Sequence, residues 1–287
     1  MGKNSNPEIY GVLGYPVKHS FSPAMHNAAF SALKINAKYK SFEVKLDQLK
    51  DFFAKMAEKN IYGLNITIPY KEKILDFVSP DKGSDYLKEL KAVNTVARQE
   101  GIWKGFNTDV AGFSQHLKEI FAPSGKKVAI LGAGGAARAV AYALAESAVS
   151  EIDIFDIDAN KVKDLALVIK KLFLNFQINA VNNIAGLKIK DKDLLINATP
   201  VGLKESDFCL VNEEMLHKNL LVYDLIYNPP ETKLLALARH IGARTANGLS
   251  MLLYQGMLSF KIWTGQDAPQ EVMWKALQGE LNARNSN

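Results

Sequence analysis

The feature that most constrains this chain is a glycine-rich loop between a short apolar strand and a helix. Lys127 to Leu131 predicts the strand, the loop Gly132-Ala-Gly-Gly-Ala-Ala137 follows, and a helix continues to about Ser147. The first glycine permits a tight turn, the second lets the backbone approach a pyrophosphate, and the alanine at 137 permits close packing of helix on strand. The N–H groups at a helix start attract phosphates.

The next predicted strand, Glu151 to Asp156, ends in a carboxylate at the spacing expected for dinucleotide binding. A carboxylate at Asp156 accepts hydrogen bonds from the ribose hydroxyls of NAD and repels the 2′-phosphate of NADP. Arg138 and Lys161 would offset part of that repulsion. Two alternatives remain. The glycine loop could be a tight turn that binds no ligand, and Asp156 could be an exposed acid at the end of a strand.

Apolar runs alternate with helical segments along most of the chain, which predicts an α/β protein. Its 287 residues suggest two domains, and Pro123-Ser-Gly125 is a plausible boundary. In the first half we expect strands at 9–13, 39–44 and 61–67 and helices at 22–33, 46–57 and 108–121. We also expect a hairpin that pairs 92–97 with 102–105. Ser22 is expected to cap its helix, with Pro23 in the first turn.

From Lys127 onward, repeated strand–helix crossovers predict a parallel sheet with helices on both faces. The expected elements there are strands at 127–131, 151–156, 194–197 and 220–225, and helices at 135–147 and 160–173. After Asn247-Gly248 the chain is predicted to be helical, through 251–263 and 269–282.

Composition narrows the possible functions. Cys209 is the only cysteine, so we expect no intrachain disulfide, no metal site built from cysteines and a reducing, cytoplasmic location. The net charge is +5, but the lysines are scattered among acids, so nucleic acid is not an expected partner. No apolar run reaches membrane-spanning length, and the five histidines lack ligand-like spacing, so neither a membrane nor a metal is expected.

Three polar stretches in the first half are unusual for simple packing. Gly14-Tyr-Pro-Val-Lys-His-Ser-Phe-Ser22 places two hydroxyls beside a helix start, a position that suits a carboxylate. Asn65-Ile-Thr-Ile-Pro-Tyr-Lys71 puts polar side chains at alternate positions of a strand end. Ala92-Val-Asn-Thr95 and Asn107-Thr-Asp109 add amides and a carboxylate. Taken singly, each stretch is also explained by capping, turns or surface charge.

Together, these stretches resemble the shikimate dehydrogenase family. The family's motifs occur here in order, as Gly14-Tyr-Pro, His19-Ser-Phe-Ser-Pro23, Asn65-Ile-Thr-Ile-Pro with Lys71, Ala92-Val-Asn-Thr95, Asn107-Thr-Asp109, Gly132-Ala-Gly-Gly-Ala-Ala-Arg138, Asn197-Ala-Thr-Pro-Val-Gly202, Tyr223-Asp-Leu-Ile-Tyr-Asn228 and Asn247-Gly-Leu-Ser-Met251 with Gln255. The resemblance therefore covers nearly the whole chain.

The resemblance implies the interconversion of shikimate and 3-dehydroshikimate with NAD(P), on the route to chorismate and the aromatic amino acids. It implies an α/β substrate domain formed by residues 1–110 and 249–287, to which the C-terminal helices return. Residues 111–248 would form a Rossmann-like, doubly wound, parallel-sheet dinucleotide domain. The chain would act as a monomer or a homodimer.

Residue roles follow from the same motifs. Ser20 and Ser22 would hold the substrate carboxylate, and Asn65 would order the pocket. The remaining substrate contacts would come from Thr67, Asn94, Tyr227 and Gln255. The cofactor would contact Gly132, Ala133, Gly134, Gly135, Ala136, Asp156, Lys161, Thr199, Leu225 and Gly248.

Lys71 and Asp109 would flank the reacting hydroxyl as the catalytic pair. That hydroxyl must lose a proton when hydride leaves its carbon, and a lysine beside a carboxylate can relay it. Because a free lysine is protonated at neutral pH, Lys71 would act mainly as proton donor in the biosynthetic direction.

The sequence departs from the family at the end of the second cofactor-domain strand. Many members have Asn-Arg-Thr there, followed by another basic residue, and these groups bind the 2′-phosphate of NADP. Here the residues are Asp156-Ile-Asp158, and Lys161 alone keeps a basic position. We therefore expect a preference for NAD, with NADP as the other candidate.

Three alternatives stay open at this point. An NAD-dependent quinate/shikimate dehydrogenase would use both substrates, and the Ser20/Ser22 pair favours shikimate. A folate-linked dehydrogenase of similar architecture is disfavoured by the same serines and by Asn107-Thr-Asp109. A non-catalytic dinucleotide-binding regulatory module would have lost Lys71 or Asp109, and both are present.

Overall fold

The computed structural model describes residues 6–82 and 84–285, which divide into two compact units. The first unit extends to Thr108 and resumes at Leu252, and the second is Asp109–Met251. The sequence placed these breaks after residues 110 and 248. The loop at 123–125, suggested as a boundary, instead lies inside the second unit, because the helix before it belongs to that unit.

The first unit begins with a strand–helix–strand segment. Its elements in chain order are β1 (Glu8–Gly14), α1 (Ser22–Ala32), β2 (Ala37–Glu43), α2 (Leu49–Ala54), β3 (Ile61–Ile66), β4 (Ser79–Pro80), α3 (Tyr86–Leu90), β5 (Thr95–Gln99) and β6 (Ile102–Phe106), with 3₁₀ turns at Leu46–Gln48 and Lys73–Asp76. The strands predicted at 9–13, 39–44 and 61–67 are confirmed with small shifts at their ends. The helix predicted at 46–57 is shorter and begins as a 3₁₀ turn.

The sheet of the first unit has the strand order β2-β1-β3-β5-β6-β4. Strands β1, β2 and β3 are parallel, whereas β5 runs antiparallel to both β3 and β6. The predicted hairpin is confirmed, and Glu100 and Gly101 form its two-residue turn with φ of 51° and 79°. Because β5 runs backwards, its first residue, Thr95, pairs with Asn65 near the end of β3. Polar residues from different segments therefore meet where β3 ends and β5 begins.

The start of α1 differs from the prediction. Phe21 is the N-cap residue and Ser22 is already helical, with Pro23 in the first turn. The hydroxyl of Ser20 accepts a hydrogen bond from the Ser22 N–H at 3.2 Å. Ser20 thus pairs with a backbone donor that the first turn of the helix leaves without an intrahelical partner. Ser22 is therefore not the cap of this helix.

The second unit contains α4 (Thr108–Ile120), whose first residue ends the first unit, and a repeating strand–helix pattern. Its further elements are β7 (Lys127–Leu131), α5 (Gly135–Glu146), β8 (Glu151–Phe155), α6 (Ala159–Leu172), β9 (Ile178–Ala180), β10 (Leu194–Asn197), β11 (Leu221–Asp224), α7 (Lys233–His240) and β12 (Arg244–Asn247). β9, α7 and β12 were not predicted.

The strand order of this second sheet is β12-β11-β10-β7-β8-β9, and every pairing is parallel. Counted from β7, this is the 3-2-1-4-5-6 order of the doubly wound dinucleotide-binding fold, so the predicted fold class is confirmed. The order reverses between β7 and β10. Ligands of such sheets bind beyond the carboxyl ends of the strands at that point, where Gly132 follows β7.

Two C-terminal helices complete the described chain, α8 (Leu249–Thr264) and α9 (Gln270–Asn285). α9 packs against α1, so the C-terminal helices return to the first unit as predicted. Within residues 6–82 and 84–285, no helix combines the length and apolar character needed to cross a membrane.

Candidate active site

The carboxyl ends of β1 and β3 lie in close contact in the first unit. A Cβ added at Gly14 would be 2.4 Å from Thr67 Cγ2 and 3.0 Å from the carbonyl oxygen of Ile68. Only glycine fits there without a shift of backbone. Thr67, a predicted substrate contact, is half-buried directly after β3, and its N–H donates to the Leu13 carbonyl at 2.9 Å.

The amide of Asn65 is buried and its hydrogen-bonding groups are engaged within the protein. Its Oδ1 accepts from the Tyr39 hydroxyl at 2.8 Å, and its Nδ2 donates to Thr95 Oγ1 at 3.1 Å and Ser259 Oγ at 2.9 Å. These contacts join β2, β3, β5 and α8. They fit the expected role of Asn65 in ordering the site better than direct contact with a ligand.

Asn94 clamps the first residue of α4. Its Oδ1 accepts from the backbone N–H of Thr108 at 2.7 Å, while its Nδ2 donates to Thr108 Oγ1 at 2.9 Å. The bond to the N–H binds a donor that the helix itself leaves unpaired. Asp109, the next residue, is buried in the first turn of α4. Asn94 therefore fixes the start of the helix that carries the predicted catalytic carboxylate.

Gln255 lies on α8 beside the same polar groups. Its Nε2 donates to the Leu252 carbonyl at 2.8 Å, and its Oε1 is 3.5 Å from both Asn94 Nδ2 and Thr108 Oγ1. The two long contacts are weak compared with the bond to Leu252. The structure thus brings together three of the predicted substrate residues, Asn65, Asn94 and Gln255, which we call the amide cluster.

The two predicted carboxylate-binding serines lie at the start of α1. Ser22 is buried, Ser20 is half-buried, and the two are joined by the N–H to hydroxyl bond between them. The pair therefore combines two hydroxyls with the positive end of a helix, a combination that favours an anion.

Lys71 is half-buried in the segment after β3. Its carbonyl accepts from the Val93 N–H at 2.9 Å, which ties its backbone to the residue before Asn94. The backbone of Lys71 is thereby tied to the segment that leads into Asn94 and β5.

The glycine loop of the second unit has the conformation that its sequence predicts. Gly132 has φ of 103°, and a Cβ there would be 3.0 Å from the carbonyl carbon and oxygen of Ala198. Gly134 caps α5, and a Cβ added to it would meet no atom within 4 Å, so its backbone is open to close approach. Ala137 is fully buried under the helix. The loop and the N–H groups of Gly135 and Ala136 at the helix start fit a dinucleotide pyrophosphate.

Asp156 contacts this loop directly. Its Oδ2 accepts from the Ala133 N–H at 2.8 Å and its Oδ1 from the Asp158 N–H at 2.9 Å. Asp158 in turn caps α6 by accepting from the N–H groups of Asn160 and Lys161. Ile157 is 96% exposed, and the Lys161 side chain is also exposed.

Arg138 does not have the role expected of it. Its guanidinium is buried and forms an ion pair with Asp164 on α6. That charge is compensated within the protein, so Lys161 is the basic residue left of the two that were expected to offset repulsion of a 2′-phosphate.

Thr199 is half-buried and follows β10 beside a buried polar network. Its hydroxyl donates to Asn197 Oδ1 at 2.7 Å, and Asn197 Nδ2 donates to Asp224 Oδ1 at 3.0 Å. Burial raises the pKa of Asp224, and hydrogen bonds from Thr232, the Ile226 N–H and Asn197 oppose that rise. The network fixes the ends of β10 and β11.

Gly248 is held against the predicted cofactor residue Leu225. A Cβ added at Gly248 would be 2.0 Å from the Leu225 carbonyl oxygen. The N–H of Gly248 donates to the Ile226 carbonyl at 3.1 Å. Tyr227, a predicted substrate contact, is half-buried in the following loop of the second unit.

Sequence reasoning missed four residues that hold the amide cluster: Tyr39, Thr95, Thr108 and Ser259. Thr95 and Thr108 lie inside predicted motifs, but roles were predicted only for the amides and the carboxylate of those motifs. Ser259 is four residues after Gln255, and this spacing on one helix face was the available signal.

Within the described parts of the chain, no group of three or more histidine, cysteine, aspartate and glutamate side chains could hold a metal ion.

Comparisons with known proteins agree along nearly the whole chain. The substrate-binding domain of shikimate dehydrogenase matches residues 12–96, and the C-terminal domain of shikimate 5′-dehydrogenase matches residues 248–278. A shikimate dehydrogenase (NADP(+)) from Methanopyrus kandleri is 41% identical over 290 residues, covering 97% of this chain and 97% of that protein.

Solved structures give the same result. The structure of shikimate dehydrogenase from Aquifex aeolicus has a TM-score of 0.87 and 36% identity, covering 96% of this chain and 100% of that one. The structure of shikimate 5-dehydrogenase from Listeria monocytogenes, in complex with shikimate and NAD, has a TM-score of 0.85 and 33% identity, covering 96% and 97%.

Proposed function

This chain belongs to the shikimate dehydrogenase family, and we propose that it interconverts shikimate and 3-dehydroshikimate with a nicotinamide dinucleotide, in the biosynthesis of chorismate and the aromatic amino acids. The observation that carries this proposal is the 41% identity with an enzyme of that activity over 97% of both chains. A regulatory module without catalysis is not favoured, because Lys71 and Asp109 are both retained.

The second unit would hold the dinucleotide at its glycine loop. The φ of Gly132, the open backbone at Gly134 and the start of α5 form a cradle for the pyrophosphate. Thr199, Leu225 and Gly248 follow, or pack against, neighbouring strand ends of the same sheet. A dinucleotide held there would supply the hydride acceptor for oxidation at the C3 carbon of shikimate, and the hydride donor for reduction of 3-dehydroshikimate.

The first unit would bind the substrate. Ser20 and Ser22 at the start of α1 would donate to the carboxylate of shikimate. Its hydroxyls would be contacted by Asn94 and Gln255 of the amide cluster, by Thr67 after β3, and by Tyr227. Asn65 would act indirectly, because its amide is engaged by Tyr39, Thr95 and Ser259.

Lys71 and Asp109 would handle the proton of the C3 hydroxyl. During reduction of 3-dehydroshikimate, the Lys71 ammonium would donate a proton to the carbonyl oxygen as that oxygen gains negative charge. During oxidation, the proton would return to a neutral Lys71. Asp109, held in the first turn of α4, would orient the ammonium and stabilise its charged form.

For the cofactor we propose a preference for NAD over NADP. Asp156 places a carboxylate at the end of β8, Ile157 supplies no charge beside it, and Arg138 is paired with Asp164. Loss of a cation and gain of repulsion would each weaken NADP binding by about 1 kcal/mol or more. The NADP(+) named for the Methanopyrus enzyme is the opposing consideration, and the Listeria complex with NAD is the supporting one.

The experiment is one matrix of steady-state rates, with shikimate and quinate measured against NAD and NADP. We expect the highest kcat/KM for shikimate with NAD. No turnover of shikimate with either dinucleotide would refute the proposed activity. A higher kcat/KM with NADP would refute the cofactor preference alone, and turnover of quinate would show dual substrate use.

We also propose a cytoplasmic location, because a chain with a single cysteine fits a reducing compartment.

A further inference from the structure

Three buried hydroxyls lie in mutual contact beneath the amide cluster of the first unit. Thr95 Oγ1 is 2.8 Å from Ser259 Oγ, Thr108 Oγ1 is 3.1 Å from Ser259 Oγ, and the two threonine oxygens are 3.2 Å apart. At most 3% of each residue is exposed. The three come from β5, the start of α4 and α8, so this hydroxyl triangle joins three separate segments.

Each amide of the cluster contacts a corner of the hydroxyl triangle. Asn65 Nδ2 donates to Thr95 and Ser259, and Asn94 Nδ2 donates to Thr108. Gln255 Oε1 accepts from the Thr108 hydroxyl in the longest of these contacts, at 3.5 Å. None of the roles assigned above to substrate, cofactor or proton transfer uses Thr95, Thr108 or Ser259.

The proton of Ser259 determines which way the Asn65 amide faces. Ser259 Oγ donates to the Gln255 carbonyl at 2.9 Å, so only its lone pairs face the triangle. Those lone pairs accept from Asn65 Nδ2 and from a threonine hydroxyl. Reversing the Asn65 amide would put its oxygen against these lone pairs and leave the Tyr39 hydroxyl without its acceptor. A buried polar group without a partner costs more than a hydrogen bond normally gains.

We propose that Thr95, Thr108 and Ser259 are positioning residues. They orient the amides of Asn94 and Gln255 for the substrate and hold Asn65, the residue that orders the pocket. This inference rests on the proposed function, since the ligand to be recognised is shikimate. Thr95 and Ser259 would act only through the amides, so loss of either hydroxyl is expected to affect substrate recognition and to leave the glycine loop of the second unit unchanged.

The test uses paired substitutions at Thr95 in the full-length enzyme. Thr95→Val keeps the shape of the side chain and removes the hydroxyl, whereas Thr95→Ser keeps the hydroxyl. We expect Thr95→Val to raise the KM for shikimate about tenfold, and Thr95→Ser to stay within about threefold of the parent. The KM for the dinucleotide should stay within about twofold in both variants.

Ser259→Ala, which removes a single oxygen, provides a second measurement should Thr95→Val fail to fold. It should raise the KM for shikimate in the same way. The rise in KM for the double variant Thr95→Val/Ser259→Ala should be smaller than the product of the two single rises, because both hydroxyls accept a hydrogen bond from Asn65. Thr264→Val is the matched control. It removes another hydroxyl of α8 that donates to a carbonyl four residues back, at 2.8 Å, and it should leave both KM values unchanged.

Three results would overturn the proposal: an unchanged KM for shikimate in Thr95→Val and Ser259→Ala, an equal rise in the KM for the dinucleotide, or equal impairment of Thr95→Ser and Thr95→Val. The last two would indicate general destabilisation. Turnover of shikimate by the parent enzyme tests the proposed function separately, so failure of one is distinguishable from failure of the other.

Discussion

Asp156 Oδ2 accepts a hydrogen bond from the backbone N–H of Ala133 at 2.8 Å, which ties the carboxylate at the end of β8 to the glycine loop after β7. The second oxygen of Asp156 accepts from the Asp158 N–H, at the residue that caps α6. A carboxylate oxygen has more than one lone pair, so these bonds leave capacity for ribose hydroxyls. One residue therefore holds the loop, and under the proposed function the same residue would present negative charge to the ribose.

We expect the double variant Asp156→Asn/Ile157→Arg to shift the cofactor preference towards NADP. An amide oxygen at 156 keeps one of the two backbone bonds and removes the negative charge, and an arginine at the exposed position 157 supplies a cation for the 2′-phosphate. The ratio of kcat/KM for NADP to that for NAD should rise by about tenfold or more.

Asp156→Asn/Ile157→Gln is the matched control, since it has a long polar side chain without the charge. An equal shift in this variant would show that removal of the carboxylate, and not the new cation, is responsible. No shift in either variant would contradict the proposed basis of selectivity.

Lys71→Ala is expected to lower kcat by roughly 10²- to 10⁴-fold with little change in the KM for shikimate, because under the proposed function the lysine would donate its proton in the transition state. Steady-state rates in both directions provide the measurement. Lys73→Ala, which removes an exposed lysine two residues later, should retain normal turnover. Turnover of Lys71→Ala close to that of the parent would exclude Lys71 as the proton donor.

The central strands of the second unit were predictable from sequence, whereas its edge strands were not. β7 and β10 have the predicted bounds because short apolar runs, buried on both faces, end at turn residues. β9 and β12 lie at the two edges of the sheet and are short and largely polar or exposed. Edge strands often have this character, so their local sequence resembles that of a loop.

The candidate site was predictable only in part. The motif residues Asn65, Asn94 and Gln255 were identified, and the structure brings them together. The hydroxyl triangle was not identified, because Thr95 and Ser259 are 164 residues apart and nothing local marks their contact. Ser22 was assigned as a helix cap because serine before proline is typical of caps, but the chain turns one residue earlier.

Gly132→Ala should lower both the melting temperature and the affinity for the dinucleotide. A left-handed φ costs an alanine about 1–2 kcal/mol, and the new Cβ would also crowd the Ala198 carbonyl at 3.0 Å. Gly101→Ala is the control, since Gly101 also has positive φ but a Cβ there would meet no atom within 4 Å. Thermal unfolding and dinucleotide titration of both variants provide the measurement. Equal losses of affinity in the two would show that the glycine loop has no special role.

His26 is fully buried in α1. Its ring stacks on Tyr39 at 4.4 Å between centroids and lies near Phe260 and Trp263. Among the residues that the structure describes, neither ring nitrogen has a hydrogen-bond partner. Burial lowers the pKa of His26 from 6.5 to about 3. Below pH 6.5 the unfolded chain therefore binds a proton here that the folded chain does not bind until about pH 3.

Consequently, the stability that neutral His26 contributes is fully present above pH 6.5 and is lost as the pH falls towards 3. The free energy of unfolding should fall by about 1.4 kcal/mol for each pH unit in that window from this residue alone. Urea unfolding of the parent and of His26→Leu between pH 7 and 4.5 tests this, since the other titrating groups contribute equally to both. His240→Asn, at an exposed histidine of α7, should keep the slope of the parent. If His26→Leu also keeps that slope, the buried ring is not the group responsible.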